Sequence, residues 1–243
     1  MAQIEGRNPV IEAIKSDRVI DKIMISGKEG SIKKIIGMAK EKNIIIQNVD
    51  KNKLDEISTS HAHQGVIAIV SDYKYYEPDD IIKSIKEKKE DAFIIILDEI
   101  TDPHNFGSII RTADAVGAHG VIIPKRRSVN ITPVVAKASA GAVEYVPVCK
   151  VTNIVNTIKK LKEEGLWIAA ADMDGQAFYE KNLKGPLGLV IGSEGFGISR
   201  LVKENCDFTI KMPMIGNVTS LNASVAGGIL LYEIFRQRNN ESK

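Results

Sequence analysis

The chain has 243 residues, 44% hydrophobic and 26% charged, the balance of a soluble globular protein with a packed core, in one large domain or two small ones. A net charge of +2 neither demands nor excludes a polyanionic partner, because a local patch matters more than the total. No apolar run approaches the ~18 residues of a membrane span, and MAQIEGRNPVIEAI lacks a basic-then-apolar leader pattern. A cytosolic setting is expected, with Cys149 and Cys206 as buried structural thiols.

From the N-terminus to about Asp72 helical and strand patterns alternate. Asn8 can cap a helix with Pro9 at its first position and Val10, Ile11 and Ile14 on its apolar side. Strand-like Val19 to Ser26 follows, then a helix from Ser31 and a strand from Ile44 to Val49. A short helix near Lys53 to Ile57 and the strand Gly65 to Val70 complete an α/β/α unit of roughly 70 residues, a size that folds alone. His61 and His63 in STSHAHQG resemble a metal pair, but two side chains cannot complete a coordination sphere, so they read as loop residues. Arg7 in the GRNP turn can touch phosphate or only water.

An extended connector, SDYKYYEPDD, precedes the amphipathic helix DDIIKSIKEKKED. FIIILDEI (Phe93 to Ile100) is an uninterrupted apolar run, the mark of a strand covered on both faces. After TDPHNFGS, apolar residues at Phe106, Ile109, Ile110, Ala113 and Val116 form a helical stripe ending at Gly117. Arg111 projects opposite that stripe, where periodicity alone makes it a surface arginine. The strand Gly120 to Pro124 runs into Lys125, Arg126 and Arg127, a basic cluster at a strand's carboxyl end, where open α/β sheets place ligands; those cations can neutralise phosphates or simply be solvated.

A helix over Thr132 to Ala142, a strand over Glu144 to Val148, a helix over Asn153 to Gly165 and a strand over Leu166 to Asp172 point to a largely parallel sheet. LGLVIGSEGFGIS then carries a buried strand directly into a glycine-rich turn. The order of its glycines is wrong for a dinucleotide fingerprint, and no phosphate-binding P-loop occurs. Last come a strand over Thr209 to Met212, a loop, and an amphipathic helix. Leu221, Asn222 and Ser224 fall where that loop turns into the helix, so unpaired N–H groups and short polar side chains share one small volume. Ala223, Ala226, Gly227 and Gly228 permit close backbone approach, although a merely capped terminal helix reads the same way.

Together, DEITDPHNFGSIIRTADAVGAHGVII, LGLVIGSEGFGIS and IKMPMIGNVTSLNASVAGGILLYE resemble, in order and spacing, the three motifs of the SpoU branch of the SPOUT RNA methyltransferases. That family transfers a methyl group from S-adenosylmethionine to a ribose 2′-hydroxyl. The resemblance covers Phe93 to Arg238 and includes KASAGAVEYVPV between the first two motifs. It implies an α/β fold whose parallel sheet has its C-terminal segment threaded as a trefoil knot, an exception to the general absence of knots.

The same resemblance implies residue roles. Arg111 would stand at the ribose hydroxyl with Asn105 holding the neighbourhood, Glu194 would be the acidic residue of the second motif, and Ser220 and Asn222 the polar pair of the third. Gly192, Met212 and Leu221, with Ile191 and Asn222, would hold the donor. A guanidinium stays protonated, so Arg111 is expected to polarise the hydroxyl rather than take its proton. GRNPVIEAI and STSHAHQGVIAIV resemble the L30e-like substrate-binding domain of large-subunit rRNA guanosine 2′-O-methyltransferases. The implied layout is an L30e-like domain over 1–72, a linker over 73–80 and a knotted methyltransferase domain over 81–243. Large-subunit rRNA, contacted through Arg7, Lys125, Arg126 and Arg127, and a homodimer joined at the knotted domain are the implied partners. A tRNA or resistance enzyme of the same family, or a silent RNA-binding relative, remains open.

Overall fold

The computed structural model describes residues 2–16, 18, 20–27, 29–70, 73–217 and 220–239. The chain divides into two compact units: Met1–Lys74 with Phe106–Arg111 and Asn130–Tyr145, and Tyr75–Asn105 with Thr112–Val129 and Val146–Lys243. Among the described residues no helix is long and apolar enough to cross a membrane.

In the first unit, strands β1 (Ala2–Glu5), β2 (Ile20–Ile25), β3 (Ile46–Asn48) and β4 (Val66–Val70) lie in the order β1-β4-β2-β3. β4 is antiparallel to β1 and β2, and β3 is parallel to β2. Successive strand side chains point to opposite faces. Val66, Ala68 and Val70 therefore meet Val10 and Ile14 of helix α1 (Arg7–Lys15) and Ile32 and Ile35 of α2 (Ser31–Glu41). Ile67 faces the other way, clustering with Met24 of β2 and with Leu54 of α3 (Lys51–Ile57). The result is the three-layered α/β/α arrangement that the alternation predicts.

One local expectation fails here, and one strand has no counterpart in the sequence reading. Helix α1 begins at Arg7, and Gly6, at φ 95°, takes the capping position; Asn8 is inside the first turn and Pro9 is its third residue. Strand β1 is unexpected from AQIE, because Glu5 is fully buried. Its carboxylate accepts hydrogen bonds from the Ser58 hydroxyl (2.6 Å), the Thr59 amide (2.7 Å) and hydroxyl (2.9 Å), the Ser60 amide (3.2 Å) and the Gln3 amide (2.7 Å), besides a short bond from the Ser60 hydroxyl. Burial pushes this carboxyl's pKa up, but the Ser58 and Ser60 hydroxyls and the Thr59 donors outweigh it and bring the value from 4.5 to about 2. Val19, where the second strand was expected to open, and Ser71 and Asp72 of the connector lie outside the described residues.

The second unit opens with Tyr76, which bridges to Cys149 in parallel, and α4 (Pro78–Lys88), begun by its proline. Next come β5 (Phe93–Asp98), buried throughout, α5 (Pro103–Ala115), whose middle residues Phe106–Arg111 are counted with the first unit, and β6 (Gly120–Pro124). The chain later adds β7 (Val148–Val151), α7 (Ile154–Glu163), β8 (Trp167–Ala177), β9 (Leu187–Gly192), α8 (Arg200–Glu204), β10 (Phe208–Lys211) and α9 (Ala223–Asn239). All six strands are parallel, in the order β10-β8-β9-β5-β6-β7. Ile81 and Ile85 of α4, Ile158 and Leu161 of α7 and Val202 of α8 pack with Ile94, Ile96, Ile122, Ile168 and Val190 of the sheet. Cys149 belongs to that core, whereas Cys206 is only half-buried against it.

Helix α5 starts before the apolar stripe does, because Asp102 caps it by accepting from the Asn105 amide at 2.7 Å and Pro103 occupies its first turn. Asn105 is thereby a helical residue. Strand β7 opens at Val148 rather than Glu144. The residues before it belong to the first unit, where α6 (Pro133–Ala138) leads into a single 3₁₀ turn, Ala142–Glu144. Arg18 pairs with Glu144 at 2.6 Å, the Tyr145 hydroxyl bonds Glu12, and a Cβ on Gly141 would stand 2.7 Å from that of Glu12.

Candidate active site

Three parallel strands of the second unit border one cleft of about 420 Å³, within the range of small-molecule sites. Strand β8 contributes Asp172 and Met173, β9 contributes Ile191 and Gly192, and the stretch after β10 contributes Met212, Met214, Ser220 and Leu221; Leu230 of α9 helps line it. The β8 wall exists because the pairing with β10 jumps: Thr209 lies opposite Ala170, but Ile210 lies opposite Gln176. The skipped residues 171–175 form an arch without partners in the β10 register. Lys203 pins the arch through Asp172 (2.9 Å) and Asp174 (2.8 Å), and those carboxylates raise the pKa of its ammonium.

Glycine is required where β9 turns. A Cβ on Gly192 would lie 2.1 Å from the Gly197 carbonyl carbon, closer than any side chain tolerates. The Ser193 amide donates to the Gly197 carbonyl (3.1 Å) and the Gly197 amide to the Ser193 carbonyl (2.9 Å), with Gly197 at φ 65°. Behind the turn, the buried carboxylate of Asp98 at the end of β5 accepts from the Ser199 amide at 2.7 Å.

This closed turn carries Glu194, on which two other motifs converge. Asn105 donates its Nδ2 to Glu194 Oε1 (2.7 Å), Asn222 donates its Nδ2 to the same oxygen and to Asn105 Oδ1 (2.9 Å), and the Ala223 amide adds a longer bond (3.3 Å). The Asn222 amide is oriented by its other end, because Oδ1 accepts from the Ser224 and Val225 amides (3.0 and 3.2 Å) and so caps α9. With its acceptor committed to the helix, only its donor is left for Glu194.

Of the residues singled out in the sequence, Ile191, Gly192, Glu194, Met212, Ser220 and Leu221 line the cleft, and Asn105 and Asn222 are bonded to Glu194. Arg111 is exposed on α5, six positions beyond Asn105. Lys125, Arg126 and Arg127 are exposed after β6 and do not line the cleft; Arg127 pairs with Glu99 at 2.8 Å, so part of the cluster's charge is spent internally. In the first unit the Arg7 Nε donates to the Gln64 carbonyl (3.0 Å). His61 is exposed, whereas His63 is buried with Nε2 at 2.8 Å from Asp55 and Nδ1 accepting from the Gly65 amide (3.0 Å). Sequence reasoning missed Asp172, Met173, Phe196 and Leu230. The one available signal was DMDG, a polar stretch with a glycine after an apolar strand.

Apolar walls from Ile191, Ile210, Leu221 and Leu230, together with the carboxylates of Asp172 and Glu194, suit a ligand that is part flat and apolar and part cationic. The Ser193 hydroxyl is buried there without a hydrogen-bond partner among the described residues.

Two family models match this sequence: the SpoU rRNA Methylase family over residues 92–232, and RNA 2′-O ribose methyltransferase substrate binding over residues 3–76. YacO of Bacillus subtilis, named for the TrmH family of tRNA/rRNA methyltransferases, is 53% identical over 238 residues, 96% of this chain and 95% of its own length. Among solved structures, the SpoU methyltransferase AviRb from Streptomyces viridochromogenes in complex with the cofactor AdoMet has a TM-score of 0.81 at 24% identity, covering 97% of this chain and 89% of that one. The A. aeolicus TrmH/SpoU tRNA modifying enzyme has a TM-score of 0.56 at 31% identity, covering 67% and 85%.

Proposed function

The chain belongs to the SpoU rRNA Methylase family, and from that premise we propose that it methylates the ribose 2′-hydroxyl of a guanosine in large-subunit rRNA. That it is an S-adenosylmethionine-dependent RNA 2′-O-ribose methyltransferase follows from the family matches. The observation carrying the site assignment is the convergence of Asn105, Glu194 and Asn222 beside a cleft bounded by the Gly192 turn. When bound, S-adenosylmethionine supplies an electrophilic methyl group on a positively charged sulfur.

The cleft's own groups fit that molecule. Main-chain groups of Ile191, Gly192, Met212 and Leu221 would hold its adenosine, and Glu194 and Asp172 would offset its positive charge. Asn105 and Asn222 hold Glu194 in place and keep its carboxylate hydrogen-bonded. Arg111 would donate to the ribose hydroxyl, stabilising the charge that develops on oxygen as its proton leaves to water or a neighbouring base. Orienting two reactants in this way can supply ~7–11 kcal/mol of the barrier. Arg7, Lys125 and Arg126 would contact phosphates and set affinity without reading sequence.

A threaded C-terminus is part of the same reading. It is supported by the sheet order, in which β9 is inserted between β8 and β5 before β10 is added outside. A homodimer through α9 is supported by the exposed stripe Val225, Ile229, Tyr232 and Phe235, which has the spacing of one helix face. Mapping ribose methylation in RNA from cells with and without this protein tests the substrate. The expected result is one guanosine in large-subunit rRNA that loses its methyl group; a loss confined to tRNA would replace that substrate with a tRNA.

A further inference from the structure

We infer that Phe196 is the stacking platform for a base of the RNA substrate, a positioning residue that the motif pattern does not assign. The inference rests on the proposed function. Phe196 is 92% exposed, yet it is not on a loose loop: it sits inside the turn that the two Ser193–Gly197 backbone bonds close. The base of that turn is tight, because Gly192 packs its backbone directly against Gly197. Phe196 also lines the donor cleft, two residues from Glu194. Unlike an aromatic elsewhere on the surface, Phe196 offers an open π face at the edge of the site where the substrate must dock.

The chemistry selects that occupant. RNA recognised by its sequence is mostly single-stranded, with unstacked bases that are splayed out and stacked on aromatic side chains, so a target nucleotide brought to this cleft carries a base in need of such a face. Aromatic rings supply one for any base. The Asn105 and Asn222 amides are engaged with Glu194 and stacking itself reads no base, so the ring would contribute affinity and placement rather than base identity. Loss of one such stack corresponds to roughly a 5- to 150-fold loss in RNA affinity.

The test compares Phe196→Ala, Phe196→Leu and Phe196→Trp in the full chain, with rRNA extracted from cells lacking the protein as substrate and labelled methyl incorporation as readout. Donor affinity is measured on each variant by calorimetry and mass by sedimentation. The expected pattern is an RNA KM raised ~5- to 150-fold in the Ala variant, with kcat at saturating RNA much less affected. Trp should restore KM and Leu should not, because a stack needs a π face. A Leu variant as good as Trp, or an unchanged KM in the Ala variant, overturns the inference alone. So does a donor affinity that falls as far as kcat/KM does, which would make Phe196 a cleft wall, or a fall in mass with KM unchanged, which would make it a contact between copies of this chain. A wild-type enzyme that binds donor but methylates none of this RNA overturns the proposed substrate and this inference with it.

Discussion

Replacing Glu5 by Gln tests how the first unit holds its loop Ser58–Ser60. The fully buried carboxylate takes hydrogen bonds from Ser58, Thr59 and Ser60, and its pKa falls from 4.5 to about 2. At 1.36 kcal/mol per pH unit that shift is worth at most about 3 kcal/mol; Thr59 is exposed, and screening there trims the value to ~2 kcal/mol. A carboxyl whose pKa is lower in the folded state than in the unfolded one lends its stability above about 4.5 and loses it as the pH falls toward 2. The variant should therefore be destabilised at neutral pH, and the gap to wild type should close on acidification. Hydrogen exchange read on β1 and β4, which pair through Ala2–Val70 and Glu5–Ile67, reports this unit separately from the other. At pH 7 those amides should exchange roughly 30-fold faster in Glu5→Gln, since each 1.4 kcal/mol is a factor of ten. Equal protection at pH 7, or a gap that stays constant between pH 5 and pH 3, would refute the reasoning.

Gly192→Ala puts a carbon 2.1 Å from the Gly197 carbonyl carbon, so the turn must open; calorimetry should show donor affinity reduced ~100-fold or more, while exchange in β1 and β4 stays at the wild-type rate. Arg111→Ala should lower turnover by ~100-fold, the usual cost of one lost oxyanion donor, and Arg111→Lys should recover little of it; near wild-type turnover in the Lys variant would deny a planar, two-pronged contact, and in the Ala variant would remove Arg111 from the mechanism. Burial pushes the thiols of Cys149 and Cys206 up to about 12, so a thiolate-specific reagent at pH 8 should label both at least about a hundredfold more slowly than a free thiol; complete labelling of the native chain within minutes would contradict this.

How far the sequence could be read depended on whether the deciding contact was local. Strand β5 was plain in FIIILD because both its faces are covered and every residue is apolar. Asn153 could open a helix because its side chain needs only the amide of Asn156, which it reaches at 3.0 Å. By contrast, β1 was hidden because Glu5 is buried by hydroxyls more than fifty residues away. EYVPV read as a strand, but Arg18 and Glu12 hold Glu144 and Tyr145 as they are, and nothing near them in the sequence says so. At the site, Asn105 and Glu194 were legible only through the resemblance, whereas Asn222 also showed where the last loop turns into its helix. The arch of β8 was not legible, since skipping five residues in a pairing leaves only an unremarkable polar stretch.

The grouping of Asn130–Tyr145 with the N-terminal seventy-odd residues has a consequence for synthesis. When Lys74 leaves the ribosome the first unit still lacks Glu144 and Tyr145, the partners of Arg18 and Glu12. At ~5–20 residues per second, several seconds pass before they emerge. During that wait a half-finished body is carried on the growing chain while β5, α5 and β6 are made, which gives chaperones a window that an order of one domain after the other would not.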